Sequence, residues 1–228
     1  AEYVCAPAEN LATKPANTSF EAAAAVPTSA YVALQGLQDE GNLQAGQRVL
    51  INGAGGGVGT FAVQIAKAQG ATVTAVDHTD KLATLEEIGA DVVIDYTRED
   101  FTRRDHRFDL ILDIPGNYPF RRCRRVLEPH GTYVLIFHDS FDTTRRRLFG
   151  SVPRALKMMF LGLFVRQLPG LFKPTPNSQR LELLRGLLEN GDLVPVIDRI
   201  FPLQEAKAAL RHLQNGNPKG KIVLSVGA

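Results

Sequence analysis

A run of glycines after a short apolar stretch has the residue types needed to bind a phosphate group. The apolar stretch is Arg48 to Ile51, and the letters after it are NGAGGGVG. Glycine lets the backbone come close to a ligand, and the N-terminus of a following helix offers free N–H groups to an anion. Ala54 takes the first glycine position of the pattern, Gly56 lets the backbone approach a pyrophosphate, and Gly59 allows the helix to pack on the strand. The spacing predicts a dinucleotide-binding turn, with a tight turn that binds nothing as the alternative.

An acidic residue stands 18 residues after Gly59, where the next apolar stretch ends. At this place the Asp77 carboxylate would accept hydrogen bonds from both hydroxyls of an adenosine ribose, and it would repel a 2′-phosphate. NAD(H) is therefore favoured as the cofactor. NADP(H) is the alternative, because His78 or Lys81 would pair with a 2′-phosphate if Asp77 turned away. Without a ligand, Asp77 would be a solvated acid at a strand end.

The elements that must position these residues alternate between strands and helices. Apolar runs are followed by segments of helical period that end at glycine, which is typical of βαβ units on a parallel sheet. The predicted fold is a doubly wound parallel α/β sheet. Strands are expected at 48–51, 72–76, 92–95, 110–113, 132–136 and, with a proline marking an edge, 194–197. Helices are expected at 81–88 and 177–190, and the helix after the glycine turn has an apolar face of Val58, Phe61, Ala62, Ile65 and Ala66.

Two stretches depart from this alternation. The segment 138–176 is basic first and strongly apolar afterwards, which favours a lid, a contact between two copies of the chain, or a helix on a membrane surface. A membrane contact is the least favoured of the three, because no polar face separates the apolar residues. The stretch 201–226 is expected to form a short helix and then a strand at 220–226.

Composition excludes several classes of protein. Hydrophobic residues make up 44% and charged residues 22% of the 228 residues, as in an ordinary folded domain, and the formal net charge is +2. So small a charge favours neither a nucleic acid nor an anionic membrane as a partner. The longest apolar run is too short to span a bilayer, and the first residues do not follow the pattern of a signal peptide. Cys5 and Cys123 indicate reduced thiols, a cytoplasmic location and no zinc site.

The order of these motifs resembles a known family. The matching stretches are GQRVLINGAGGGVGTFAVQIAKAQGATVTAVDHTDK, IGADVVIDYTREDF, FDLILDIPGN and FPLQEAKAALRHLQNGNPKGKIVL. Together they resemble the zinc-independent, quinone oxidoreductase-like branch of the medium-chain dehydrogenase/reductase superfamily. The resemblance implies a Rossmann fold with remnants of a GroES-like β-barrel lobe. It also implies hydride transfer from NAD(P)H to a quinone, an enone or a related carbonyl compound without zinc. A homodimer is expected.

The resemblance further implies which residues bind the cofactor. They are Ala54, Gly56, Gly57, Val58, Gly59, Asp77, His78, Lys81, Tyr96, Pro115, Gly116, Asn117, Phe137 and His138. The first five would contact the pyrophosphate, the next three the adenosine ribose, and Tyr96 the adenine. The loop at 115–117 would contact the ribose on the nicotinamide side, and the last two residues would lie beside the nicotinamide. His138 is either a proton donor or a solvated loop residue, so no catalytic residue is assigned.

The chain matches the family over the cofactor-binding part and only the margins of the other lobe. Residues 1–25 would end the GroES-like lobe, 26–200 would form the NAD(P)-binding domain with a lid insertion at 138–176, and 201–228 would return to the first lobe. The chain is therefore expected to be a piece of a longer polypeptide. Val32 stands where relatives often have Thr, so one polar contact to the nicotinamide is not carried over. Two other functions stay open: a module that binds NAD(P) without catalysis, and a methyltransferase on a similar sheet, which the tail GKIVLSV disfavours.

Overall fold

A five-stranded parallel sheet forms the centre of the fold. The computed structural model describes residues 4–136, 167–168, 178–215 and 217–226. The strands of this sheet are β1 (Arg48–Asn52), β2 (Thr72–Asp77), β3 (Val92–Asp95), β4 (Phe108–Asp113) and β5 (Leu127–Leu135). They lie in the order β3-β2-β1-β4-β5, and every neighbouring pair is parallel. The predicted doubly wound sheet is confirmed.

Helices pack against this sheet, and α3 has the predicted apolar stripe. Its residues Phe61, Ala62 and Ala66 are 0% exposed and Ile65 is 1% exposed. The predicted helix at 81–88 is shorter, because Lys81 belongs to a 3-10 turn at Thr79–Lys81 and the helix ends at Glu87. The described α-helices are α1 (Phe20–Ala25), α2 (Pro27–Gln35), α3 (Gly59–Ala68), α4 (Leu82–Glu87), α5 (Phe120–Cys123), α6 (Ser178–Asn190) and α7 (Ala206–Asn215).

Alternate residues of β1 pack on opposite faces of the sheet. Val49 and Ile51 belong to the core cluster that also contains the buried residues of α2 and α3. Leu50 belongs to a second cluster together with Phe101 and Tyr133. Because side chains alternate between the two faces of a strand, the sheet is buried on both sides. This explains why Val49, Leu50 and Ile51 of β1 are all apolar rather than alternating with polar residues.

The order of the strands marks a crevice at the carboxyl ends of the strands. β1 pairs with β2 on one side and with β4 on the other, so the path of the chain reverses between β1 and β4. In open α/β sheets, ligands bind outside the carboxyl ends of the strands at this place. Asn52 and Asp113 end these two strands and are paired in register. Both residues therefore lie at the expected ligand crevice.

A smaller parallel sheet contains β6 (Ile197–Pro202) and β7 (Lys221–Ser225). The predicted strand at 194–197 is wrong, because the strand begins only at Ile197. Pro195 has no N–H for a β-ladder, and the backbone of Val194 is bonded to the side chain of Gln64 instead. The predicted domain boundary after residue 200 falls inside β6.

Most of the predicted lid or dimer segment 138–176 lies outside the described residues. Of this segment, Gln167 and Leu168 are described, and the Gln167 carbonyl accepts a hydrogen bond from the Tyr133 N–H at 2.8 Å. These two residues therefore lie next to β5. Among the described residues, none of the helices has the length and apolar character needed to cross a membrane.

Candidate functional site

The glycine turn follows β1 and leaves its backbone open at one residue. Gly53 turns the chain with φ +80°, a conformation that favours glycine. A Cβ atom on Gly59 would lie 2.4 Å from the carbonyl oxygens of Gly53 and Ala54, so glycine is needed for α3 to begin here. A Cβ on Gly56 would meet only Gly53 O among the described residues, at 3.5 Å. Gly59 thus lets α3 begin close to the turn, and the space beside the Gly56 backbone is open.

Asp77 is buried at the end of β2 and is held under the glycine turn. Its Oδ2 accepts a hydrogen bond from the Gly55 N–H at 2.7 Å, and its Oδ1 accepts one from the His78 N–H at 2.8 Å. The Lys81 ammonium lies 3.6 Å from Oδ1, and both side chains of this ion pair are 8% exposed. A Cβ on Gly55 would lie 2.5 Å from Lys81 Cδ, so a side chain here would displace Lys81. Sequence reasoning missed Gly55, because the contact that requires glycine comes from another element.

His78 and Tyr96 lie together beside Asp77, at the carboxyl ends of β2 and β3. Their rings meet edge to face with centroids 6.0 Å apart, and Tyr96 is 43% exposed. Partial burial and the carboxylates of Asp77 and Asp95 raise the pKa of the Tyr96 hydroxyl. The Asp95 carboxyl accepts hydrogen bonds from two threonine hydroxyls, which lower its pKa to about 2. The structure brings together the residues predicted around the adenosine, with one aromatic ring accessible to a base.

The loop after β4 packs on the glycine turn. A Cβ on Gly53 would lie 2.8 Å from Pro115 Cδ, and the Gly116 N–H donates to the Asp113 carboxylate at 2.9 Å. The Asn117 side chain accepts a hydrogen bond from the Asn52 amide nitrogen at 2.8 Å. The predicted loop therefore lies at the crevice between β1 and β4. Two further predicted residues, Phe137 and His138, lie outside the described residues.

A lysine from the end of the chain reaches the same turn. Lys221 begins β7, and its Nζ donates a hydrogen bond to the Ser29 hydroxyl at 2.9 Å. A Cβ on Gly57 would lie 2.8 Å from Lys221 Cδ and 3.6 Å from Nζ, so this cation lies beside the glycine turn. Burial lowers the pKa of the Lys221 ammonium. Sequence reasoning missed Lys221; the one available signal was a lysine that directly follows a glycine at the start of a terminal strand.

The described residues near the carboxyl ends of the strands offer neither a metal-binding cluster nor a reactive thiol. The described residues contain no group of three or more His, Cys, Asp or Glu side chains that could hold a metal ion. They therefore do not fit a zinc ion, and no chemical step is assigned to one. Cys123 is 0% exposed, and burial raises the pKa of its thiol to about 12, which makes it a poor nucleophile.

The residues at the carboxyl ends of the strands fit a nicotinamide dinucleotide. Open backbone at Gly56 and the Lys221 cation suit a diphosphate, and the Asp77 carboxylate suits a ribose diol. Tyr96 offers a ring to the adenine, and Asn117 lies at the crevice where the other half of the molecule would end. When bound, the nicotinamide supplies or accepts a hydride.

Comparison with known proteins agrees with this geometry. The model of the zinc-binding dehydrogenase family matches residues 88–224. The 2-methylene-furan-3-one reductase of Solanum lycopersicum is 33% identical over 229 residues, which are 98% of this chain and 52% of that protein. The crystal structure of an NAD-dependent alcohol dehydrogenase matches with a TM-score of 0.81 and 32% identity, over 100% of this chain and 65% of its own. The quinone oxidoreductase of Coxiella burnetii matches with a TM-score of 0.78 and 30% identity, over 95% of this chain and 64% of its own.

These matches confirm the resemblance to the medium-chain dehydrogenase/reductase superfamily and show its extent. The chain spans 52% of the length of the tomato protein and 64 to 65% of the two crystallised chains. The stretch that the family model matches begins after the glycine turn, whereas the matches to the tomato protein and the two crystallised chains cover 95 to 100% of this chain. Because the family model covers more than half of the chain, the chain belongs to the zinc-binding dehydrogenase family and forms a cofactor-binding part of the medium-chain dehydrogenase/reductase superfamily.

Proposed function

We propose that this chain is the NAD(H)-binding part of an oxidoreductase that transfers a hydride to a quinone, an enone or a related carbonyl compound. The observation that carries the proposal is the buried Asp77 carboxylate, held at the end of β2 directly under the glycine turn. An acid at this place recognises the diol of an adenosine ribose. The names of two relatives, a furan-3-one reductase and a quinone oxidoreductase, support the substrate class.

Different residues of the chain bind different parts of the cofactor. The N–H groups at the start of α3 and the Lys221 ammonium bind the diphosphate, and Asp77 and Tyr96 bind the adenosine. These contacts fix one half of the dinucleotide and direct the other half to the carboxyl ends of β1 and β4. Hydride transfer requires the acceptor carbon about 3 to 3.5 Å from the nicotinamide, so such positioning is the main contribution of this part of the protein.

Titration of the 228-residue chain with NADH, followed by fluorescence and calorimetry, tests the proposal. We expect saturable binding of one NADH per chain. Absence of binding of both NADH and NADPH at millimolar concentration, with the chain shown to be folded by circular dichroism, would overturn the assignment of the site. A steady-state assay with NADH and a set of quinones and enones then tests the substrate class.

We propose that Asp77 also selects NAD(H) over NADP(H). Its carboxylate is engaged by two backbone N–H groups and by Lys81, which fix a negative charge at the end of β2 and so support this proposal. Because removal of a like charge relieves repulsion, Asp77→Ser should improve NADPH binding relative to NADH by about 1 to 3 kcal/mol, or roughly 5- to 150-fold. Calorimetric Kd values for both cofactors measure this ratio.

A distant acid provides the control for this variant. Asp105 is exposed before the start of β4, so Asp105→Ser removes the same charge away from the glycine turn. It should leave the ratio of the two Kd values within about twofold of the wild-type ratio. If Asp77→Ser leaves the ratio equally unchanged, then Asp77 does not set the preference.

A further inference from the structure

Asp113 is a fully buried carboxylate whose two oxygens both accept hydrogen bonds. It is 0% exposed at the end of β4. Oδ1 accepts from the Gly116 N–H at 2.9 Å, and Oδ2 accepts from the Tyr133 hydroxyl at 2.6 Å. A backbone N–H can only donate, so Oδ1 acts as an acceptor in this place. Asp113 is therefore a fixed acceptor beside the crevice between β1 and β4.

This acceptor fixes the orientation of the Asn52 amide, which is 2% exposed. The atom of Asn52 that lies 2.8 Å from Asp113 Oδ1 must be a donor, so it is the nitrogen Nδ2. The same nitrogen lies 2.8 Å from Asn117 Oδ1 and donates its second hydrogen there. Asn117 thus directs its oxygen to Asn52, and its own amide nitrogen is on the side away from Asn52. An exposed loop amide that would otherwise turn freely is held in one orientation.

We propose that Asp113 and Asn52 are positioning residues that hold Asn117 as a hydrogen-bond donor to the carboxamide oxygen of the nicotinamide. This inference rests on the proposed function. A ribose hydroxyl bonds to either end of an amide, whereas a carboxamide oxygen carries no hydrogen and bonds only to the amide nitrogen. The fixed orientation of Asn117 therefore matters for binding a carboxamide oxygen and not for binding a ribose hydroxyl. Phosphate oxygens also carry no hydrogen, but the diphosphate is assigned to the glycine turn and Lys221.

Calorimetry with three ligands of increasing length tests this contact. ADP, ADP-ribose and NADH share the adenosine diphosphate, and of the three only NADH carries the carboxamide. Asn117→Asp keeps an acceptor for Asn52 and removes the donor. It should raise the Kd of NADH about 10-fold and change the Kd of ADP and of ADP-ribose by less than about twofold. Asn190→Asp, which adds the same charge at the exposed end of α6, is the control.

Each outcome of this titration either supports or overturns the contact between Asn117 and the carboxamide oxygen. Equal affinity of the wild type and Asn117→Asp for NADH overturns the inference. Weaker binding of ADP-ribose would show a contact to the ribose, and weaker binding of ADP would show a general effect of charge; either result overturns the carboxamide contact. Failure of the wild type to bind any of the three ligands would instead overturn the proposed function.

A double-mutant cycle tests the relay from Asn52 to Asn117. If Asn52 acts through Asn117, Asn52→Ala raises the Kd of NADH several-fold, but it has no further effect in the Asn117→Ala background. Independent effects of the two substitutions overturn the positioning role. Should Asn52→Ala fail to fold, Tyr133→Phe replaces it in the cycle, because it removes one donor to Asp113 and keeps the ring that packs on Phe120.

Discussion

Lys221 has its positive charge in a half-buried position next to a serine hydroxyl. Its Nζ bonds to Ser29 at 2.9 Å, and among the described residues no carboxylate forms an ion pair with it. Burial lowers the pKa of the ammonium, because water solvates the charged form better than the protein does. Charged groups that are held in this way are enriched at sites that bind ligands of opposite charge. Under the proposed function, binding of the cofactor diphosphate offsets the free energy that the buried Lys221 charge costs in folding.

Lys221→Met should therefore change stability and binding in opposite directions. We expect the free energy of unfolding at pH 7 to rise, because the apolar side chain needs no solvation, and the Kd of NADH to rise roughly 10-fold. The pKa of Lys221 is lower in the folded state than in the unfolded state. The Lys221 charge therefore destabilises the folded state fully below the folded-state pKa, and this destabilisation disappears as the pH rises through the unfolded-state pKa. The stability gained by Lys221→Met should shrink accordingly at alkaline pH.

Urea unfolding at several pH values, together with calorimetry, measures both effects of Lys221→Met. Lys207→Met on the exposed side of α7 is the matched control and should change neither quantity. A variant at position 221 that is less stable than the wild type and binds NADH equally well would contradict this account.

In the connection from α6 to β6, a side chain takes the place of a neighbouring strand. Gln64 on α3 donates from Nε2 to the Val194 carbonyl at 3.0 Å and accepts from the Val194 N–H at 2.7 Å. These are the two bonds that a neighbouring β-strand would form with this residue. The run 194–197 has the apolar residues of a strand, but the partner of the Val194 backbone is an amide on a helix 130 positions earlier in the chain.

Gln64→Met should lower the free energy of unfolding by about 1 to 3 kcal/mol, because it leaves the N–H and C=O of Val194 without partners. Methionine has a similar length, so little packing is lost. Urea denaturation measures the change, and Gln214→Met at the exposed end of α7 should change stability by less than about 0.5 kcal/mol. Wild-type stability of Gln64→Met would show that the two bonds contribute nothing.

Local patterns were enough to predict the strands of the glycine-turn region and α3. These predictions used residues that lie close to one another in the sequence. They are the apolar runs of β1 and β2, the glycine that ends α3, and Asp77 with its neighbours His78 and Lys81. Asn52, Asp113 and Lys221 were not predicted as site residues, because their contacts join distant positions. Lys221 bonds to a serine 192 positions away, and Asn52 bonds to Asp113 61 positions away. No local pattern shows that two such residues meet.

The small sheet of β6 and β7 is joined to the glycine turn of the large sheet through backbone contacts. The Gly220 N–H donates to the Gly55 carbonyl at 2.9 Å, and Gly56 forms a parallel bridge with Gly220. Gly220 has φ +72°, and a Cβ there would lie 2.3 Å from the Val196 carbonyl oxygen. This approach therefore requires glycine. The end of the chain is held against the turn that we assign to the diphosphate.

NADH should consequently slow amide hydrogen exchange in two distant parts of the chain. We expect protection at 53–59 and at 219–224, because a ligand at 100 times its Kd stabilises the bound state by about 2.7 kcal/mol. Hydrogen-exchange mass spectrometry with and without NADH measures this, and peptides from the middle of α6 are the internal control. Gly220→Ala should weaken the protection at 219–224 and preserve it at 53–59. Protection confined to 53–59 in the wild type would contradict the coupling.

The central position of β1 also has a consequence for synthesis on the ribosome. β1 pairs with β2, which follows closely, and with β4, which begins only at Phe108. At about 5 to 20 residues per second, translation from Asn52 to Phe108 lasts several seconds. During that interval the nascent chain exposes the unpaired edge and the apolar side chains of Val49, Leu50 and Ile51, which favour aggregation. Slow codons between these two points would prolong that exposure, so the yield of folded protein depends on how fast this stretch is translated.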